Sequence, residues 1–93
     1  MSESSVPADV PAPGAGDLPH VDVTVDARGL NCPLPILKAK KALAGMASGQ
    51  VLRIEATDPG SKQDFSAFCR QTGNPLLAQI DEEAVSVFFV QRR

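Results

Sequence analysis

The first periodic segment of the chain is a strict alternation. Val21, Val23 and Val25 are separated by Asp22, Thr24 and Asp26, the pattern of a strand with one buried face. The period then lengthens. Between residues 33 and about 47, Ile36, Ala39, Ala42, Leu43 and Met46 fall on one helical face and Lys38 and Lys41 on the other, with Gly49 placed to close the helix. Residues 51–57 return to period two: Leu52, Ile54 and Ala56 share one side, Arg53 and Glu55 the other. Asp58-Pro59-Gly60 reads as a turn. Ser61 and Asp64 have the spacing of a capping box at the head of a second helix, whose apolar stripe is Phe65, Phe68, Cys69 and Thr72 and whose C-cap is Gly73. Residues 76–80 and 85–91 complete the pattern as two strands joined through Asp81-Glu82-Glu83.

The resulting order is βαβαββ. A right-handed βαβ crossover pairs the first two strands in parallel, and two amphipathic helices cover one face of a four-stranded sheet most economically. The expected fold is therefore an α/β two-layer sandwich, a mixed sheet with both helices on one side. The adjacent Phe88 and Phe89 send one ring to each side of that sheet. Residues 1–19 are rich in Pro, Ala, Ser and Gly with little to bury and read as a flexible tail; residues 20–93 form the domain.

Composition narrows the picture. Ninety-three residues suit one small domain without a large enclosed cavity. Two cysteines make no disulfide framework, and no long apolar run suggests a leader or membrane span, so a soluble cytoplasmic protein is expected. The net charge is −2, but Glu3, Asp9 and Asp17 lie in the first nineteen residues. The remainder carries nine basic against eight acidic side chains. That balance, with no interleaving of basic and aromatic residues, argues against a nucleic-acid surface.

Cys32-Pro33-Leu34-Pro35 carries the candidate chemistry. Pro33 biases Cys32 toward extended backbone angles while its own fixed φ suits the first helical position, which makes Cys32 the expected N-cap. Pro33 and Pro35 both lack an N–H, so the sulfur meets a positive helix end with few donors. That dipole lowers a free thiol from about 8.5 to roughly 7–8. No Cys-x-x-Cys is present to expel a bound sulfur as a disulfide. Arg28 has two readings, a contact that raises thiolate content or meets a partner, and a solvent-exposed turn residue. Asp26 reads as a loop organiser. Lys38, with Lys40 and Lys41, either guides an acidic partner or forms a solvated helix face. Cys69 lies on the apolar stripe and is expected in the core. His20, Cys32 and Cys69 make no zinc pattern, and neither metal nor cofactor is expected.

The run Asp26-Ala27-Arg28-Gly29-Leu30-Asn31-Cys32-Pro33-Leu34-Pro35, followed by Ala56-Thr57-Asp58-Pro59-Gly60, Asp64, Phe68-Cys69 and Gly73, resembles the TusA (SirA-like) sulfur-carrier family over about residues 22–93. The resemblance implies that Cys32 takes a sulfane sulfur from a cysteine desulfurase or rhodanese-type donor, holds it as a persulfide and passes it to an acceptor protein, a DsrE-type protein being one candidate. The implied pathways are tRNA thiolation, molybdenum-cofactor metabolism and sulfur oxidation, with a monomeric carrier. Asn74 departs from the His that many relatives place after the glycine. The competing reading is a non-catalytic regulatory or protein-binding module of the same fold.

Overall fold

A computed structural model describes residues 19–93; the expected tail, apart from Pro19, lies outside the described residues. Six elements follow in order: β1 (Val23–Ala27), α1 (Leu34–Ala44), β2 (Val51–Ala56), α2 (Ser61–Thr72), β3 (Leu76–Glu82) and β4 (Val85–Gln91). The sheet order is β1-β2-β4-β3, with β1 parallel to β2 and the other two pairings antiparallel. This is the expected mixed sheet. The short connections β2–α2 and β3–β4 need only tight turns, whereas the parallel pair needs α1 to carry the chain back.

Pleating separates two cores. Leu52, Ile54, Ala56, Phe88 and Val90 point to the side where α1 sets Ala39 and Leu43, the turn after it sets Met46, and α2 sets Phe65, Phe68 and Cys69. Both helices therefore lie on one face. Register makes this consistent across strands: Val25 is opposite Ile54, and Ile54 opposite Phe88. Phe65 anchors α2 by stacking on Phe88 with centroids 4.5 Å apart and by meeting Phe68 edge-on at 6.4 Å. Phe89 turns the other way and joins Val51 and Val87 on the opposite face, as the pleat requires of neighbours.

Three boundaries differ from the sequence reading. Helix α1 ends at Ala44 with Gly45 as C-cap, because Gly45 and Met46 take i−3 bonds to Ala42 and Leu43 that tighten the last turn. Met46 still reaches the core, so the periodicity recorded its burial and not its backbone state. Gly49, at φ +91°, serves the turn into β2, its N–H donating to the Arg92 carbonyl at 2.7 Å. The capping box does not form. Gly60 is the N-cap of α2, which places Ser61 one residue inside, its hydroxyl buried and without a hydrogen-bond partner among the described residues. Asp58 organises this turn instead, its Oδ2 accepting the Gly60 N–H at 3.1 Å and its carbonyl the Ser61 N–H at 3.0 Å. Finally, β3 runs to Glu82, and the hairpin reverses at Glu83, which has φ +48°. The C-cap of α2 is as expected: Gly73 is left-handed and donates to the Cys69 carbonyl at 2.9 Å.

Candidate functional site

The loop after β1 fixes where the cysteine stands. The Gly29 N–H donates to Thr57 Oγ1 at 2.8 Å, tying this loop to the end of β2, and the Leu34 N–H donates to the Asn31 carbonyl at 2.8 Å. Leu37 N–H reaches Pro33 O at 3.1 Å, so the helix begins from Pro33. Pro33, with φ −99° and ψ 19°, is therefore the N-cap in place of Cys32, which sits one residue outside the helix after a cis Cys32–Pro33 peptide bond. Pro35 is buried beneath the first turn, and Cys32 is exposed.

The thiol faces an acid. Cys32, Pro33, Ile36, Lys40, Asp64 and Phe68 surround an open cleft of about 230 Å³ between α1 and α2. The Asp64 carboxylate across this cleft, then partial removal from water, then the charge of Asp58 push the Cys32 pKa up. The expected depression is overturned. It counted the end of α1 alone, and the neighbour that decides the direction comes from α2. Pro33 and Pro35 offer no N–H, and the Leu34 amide, which the sequence leaves free, is taken by the Asn31 carbonyl.

Asp26, Arg28 and Lys38 come together, but around the loop and not around the sulfur. Arg28 Nε and Nη2 donate to the two carboxylate oxygens of Asp26 at 2.9 and 3.0 Å, and its backbone N–H adds a third bond at 3.0 Å. These bonds hold the Asp26 carboxyl down at about 2. Glu55 of β2 lies 3.5 Å from Arg28 Nε and also pairs with Arg53, so the guanidinium is neutralised on the open face of the sheet. Lys38 Nζ donates to the Asp26 carbonyl at 3.3 Å, fastening α1 to the end of β1. Asp26 is thus bonded to Arg28 within its own loop.

Sequence reasoning missed Asp64 as a neighbour of the cysteine and did not separate Lys40 from the other lysines. A signal existed: Asp64, Phe68 and Gln71 recur at helical spacing, so α2 presents them along one side. What periodicity does not carry is which helix that side meets. Cys69 is buried, and loss of hydration raises its thiol to about 11. Asn74 is a structural residue. Its Nδ2 donates to Thr72 Oγ1 at 2.9 Å and its Oδ1 accepts the Arg93 N–H at 3.0 Å. Among the described residues no group of three or more His, Cys, Asp and Glu has metal-site geometry, and no helix is long and apolar enough to cross a membrane.

Fold and site together define a small α/β sandwich that presents one accessible cysteine at a proline-bracketed helix start, with its second cysteine in the core. The family model for sulfurtransferase TusA matches residues 23–92, and the chain belongs to the TusA family. The sulfur carrier protein TusA of Allochromatium vinosum is 55% identical over 71 residues, covering 76% of this chain and 93% of that protein. The sulfur carrier protein TusA of Pseudomonas entomophila is 39% identical over 77 residues, covering 83% and 95%. The crystal structure of a SirA-like protein from Desulfitobacterium hafniense superposes with a TM-score of 0.68 at 26% identity, covering 75% of this chain and 96% of that one.

Proposed function

We propose that this chain is a sulfur carrier that accepts a sulfane sulfur on Cys32 as a persulfide and relays it to an acceptor protein. The observation that carries the reading is the exposed Cys32 at the start of α1 while Cys69 is held in the core. Family membership and 55% identity to a sulfur carrier protein support the role.

The exchange balances without a co-reactant. Cys32, as thiolate, attacks the outer sulfur of a donor persulfide; the Sγ–S bond forms as the donor's S–S bond breaks, and the donor leaves as a thiolate that takes up the proton Cys32 gave. Delivery repeats the step with Cys32 as the leaving thiolate. No resident metal or cofactor enters. The donor is a cysteine desulfurase or rhodanese-type protein and the acceptor a thiol-bearing protein, a DsrE-type protein being one candidate, in tRNA thiolation, molybdenum-cofactor metabolism or sulfur oxidation. The carrier acts in the cytoplasm as a monomer, which leaves Cys32 free for successive partners.

Incubation with a cysteine desulfurase and cysteine tests this. The intact mass is expected to rise by one sulfur atom, to return on reduction, and to stay unchanged in Cys32→Ala. Loading of Cys32→Ala, or no loading of the native chain, overturns it. The upward-shifted thiol favours a second reading, a binding module that does not use the sulfur. That reading requires partner binding that survives Cys32→Ser together with no loading.

A further inference from the structure

Asp64 makes no capping hydrogen bond at the head of α2. It stands in the first turn of α2, where an acid commonly caps the helix, yet the cap is Gly60, no side chain caps it, and Asp58 holds the preceding turn. Its partly buried carboxylate instead lines the cleft that contains Cys32. From α1 the only charged side chain on that cleft is Lys40, and from the β2–α2 turn Asp58 adds a second, more distant negative charge. Arg28, the cation nearest to Cys32 in sequence, is consumed by Asp26 and Glu55.

We propose that Asp64 is a positioning residue that keeps the empty Cys32 a neutral thiol while leaving the loaded carrier anionic, so that the charge in the cleft differs between the two states. The idea rests on the sulfur-carrier reading above. A carboxylate beside a thiol opposes its ionisation through repulsion and by accepting the S–H. A persulfide surrenders its proton far more readily than a thiol, and its charge sits on a sulfur about 2 Å beyond Sγ. The same Asp64 therefore holds the empty site protonated but does not hold the loaded one. The empty carrier is thereby protected from oxidants and small disulfides, which react with thiolates.

The test is the pH–rate profile for alkylation of the empty protein by iodoacetamide, a neutral reagent. Asp64→Asn is expected to move the midpoint to lower pH and to raise the rate at neutral pH at least about twofold, as a larger thiolate fraction requires. Asp64→Glu is expected to retain the high midpoint. Raising the salt concentration is expected to lower the midpoint of the native chain more than that of Asp64→Asn, because part of the effect is screened. Glu82→Gln, which removes a carboxylate from the far side of the sheet, controls for net charge. An unchanged midpoint in Asp64→Asn, or an equal drop in Glu82→Gln, overturns the proposal. Circular dichroism of each variant confirms the fold. The profile requires no sulfur loading, so a failure of Cys32 to accept sulfur would defeat the functional reading and leave the effect of Asp64 on the thiol standing.

Discussion

Replacement of Phe65 tests how α2, and with it Asp64, is held over the sheet. Phe65 is fully buried, stacks on Phe88 at 4.5 Å and 19°, and meets Phe68 edge-on. Truncation to alanine removes a whole ring and leaves a cavity, a change that costs about 3–5 kcal/mol. A domain of about 70 residues has a total stability of only about 4–10 kcal/mol. Phe65→Ala is therefore expected to unfold at or near room temperature, and Phe65→Leu is the more informative variant. It keeps an apolar side chain, loses the stack, and is expected to cost about 1–2 kcal/mol. For a domain of this size that lowers the melting temperature by about 4–16 °C. The chain has neither Trp nor Tyr, so unfolding is best followed by far-ultraviolet circular dichroism in urea or on heating. A double-mutant cycle with Phe88→Leu isolates the pair, with an expected coupling of about 0.5–1.5 kcal/mol. A Phe65→Leu melting shift below about 2 °C with no coupling to Phe88 would refute the claim that this stack anchors α2.

Other outcomes follow from single contacts. Cys69 is protonated to about 11 in the folded chain, whereas an unfolded thiol ionises near 9. The folded state thus holds its proton more tightly, and stability is fully present below pH 9 and is lost as pH rises toward 11, by about 2 kcal/mol; alkaline urea titrations of Cys69→Val are expected to lack this loss. Asp26 has the opposite sign: its carboxyl is held at about 2, so its contribution is present above the unfolded value of 3.8 and disappears as pH falls toward 2, and Asp26→Asn is expected to flatten that part of the acid-denaturation curve. Thr57→Val removes the acceptor of the Gly29 N–H and is expected to cost about 1 kcal/mol, with faster hydrogen exchange at Gly29. Asn74→Ala is expected to lower stability by about 1–2 kcal/mol while leaving Cys32 alkylation unchanged, since its bonds go to Thr72 and Arg93.

What was legible in the sequence is what depends on local period. The alternation at Val23 and Val25, the stripe through Ala39, Leu43 and Met46, and the split between Phe88 and Phe89 each report which side of an element is buried, and the order βαβαββ leaves few ways to assemble them. Helix ends were less legible because a buried Met46 and a buried Ser61 are compatible with more than one backbone path. At the site, the Cys-Pro-x-Pro run singled out Cys32 as the candidate, but not the acid that pushes its pKa up. A helix dipole belongs to one element and is visible in one stretch of sequence. The approach of Asp64 depends on how two helices pack on one sheet face, and thirty-two positions separate the two residues in the chain.

The burial of Cys69 makes the intact protein a monothiol toward the outside world. Any maleimide or disulfide reagent that spares the fold modifies Cys32 alone, so a probe can be placed at the head of α1 without engineering the sequence. Disulfide formation between copies can join two chains through Cys32 and go no further, because neither chain retains a second reachable sulfur with which to extend it.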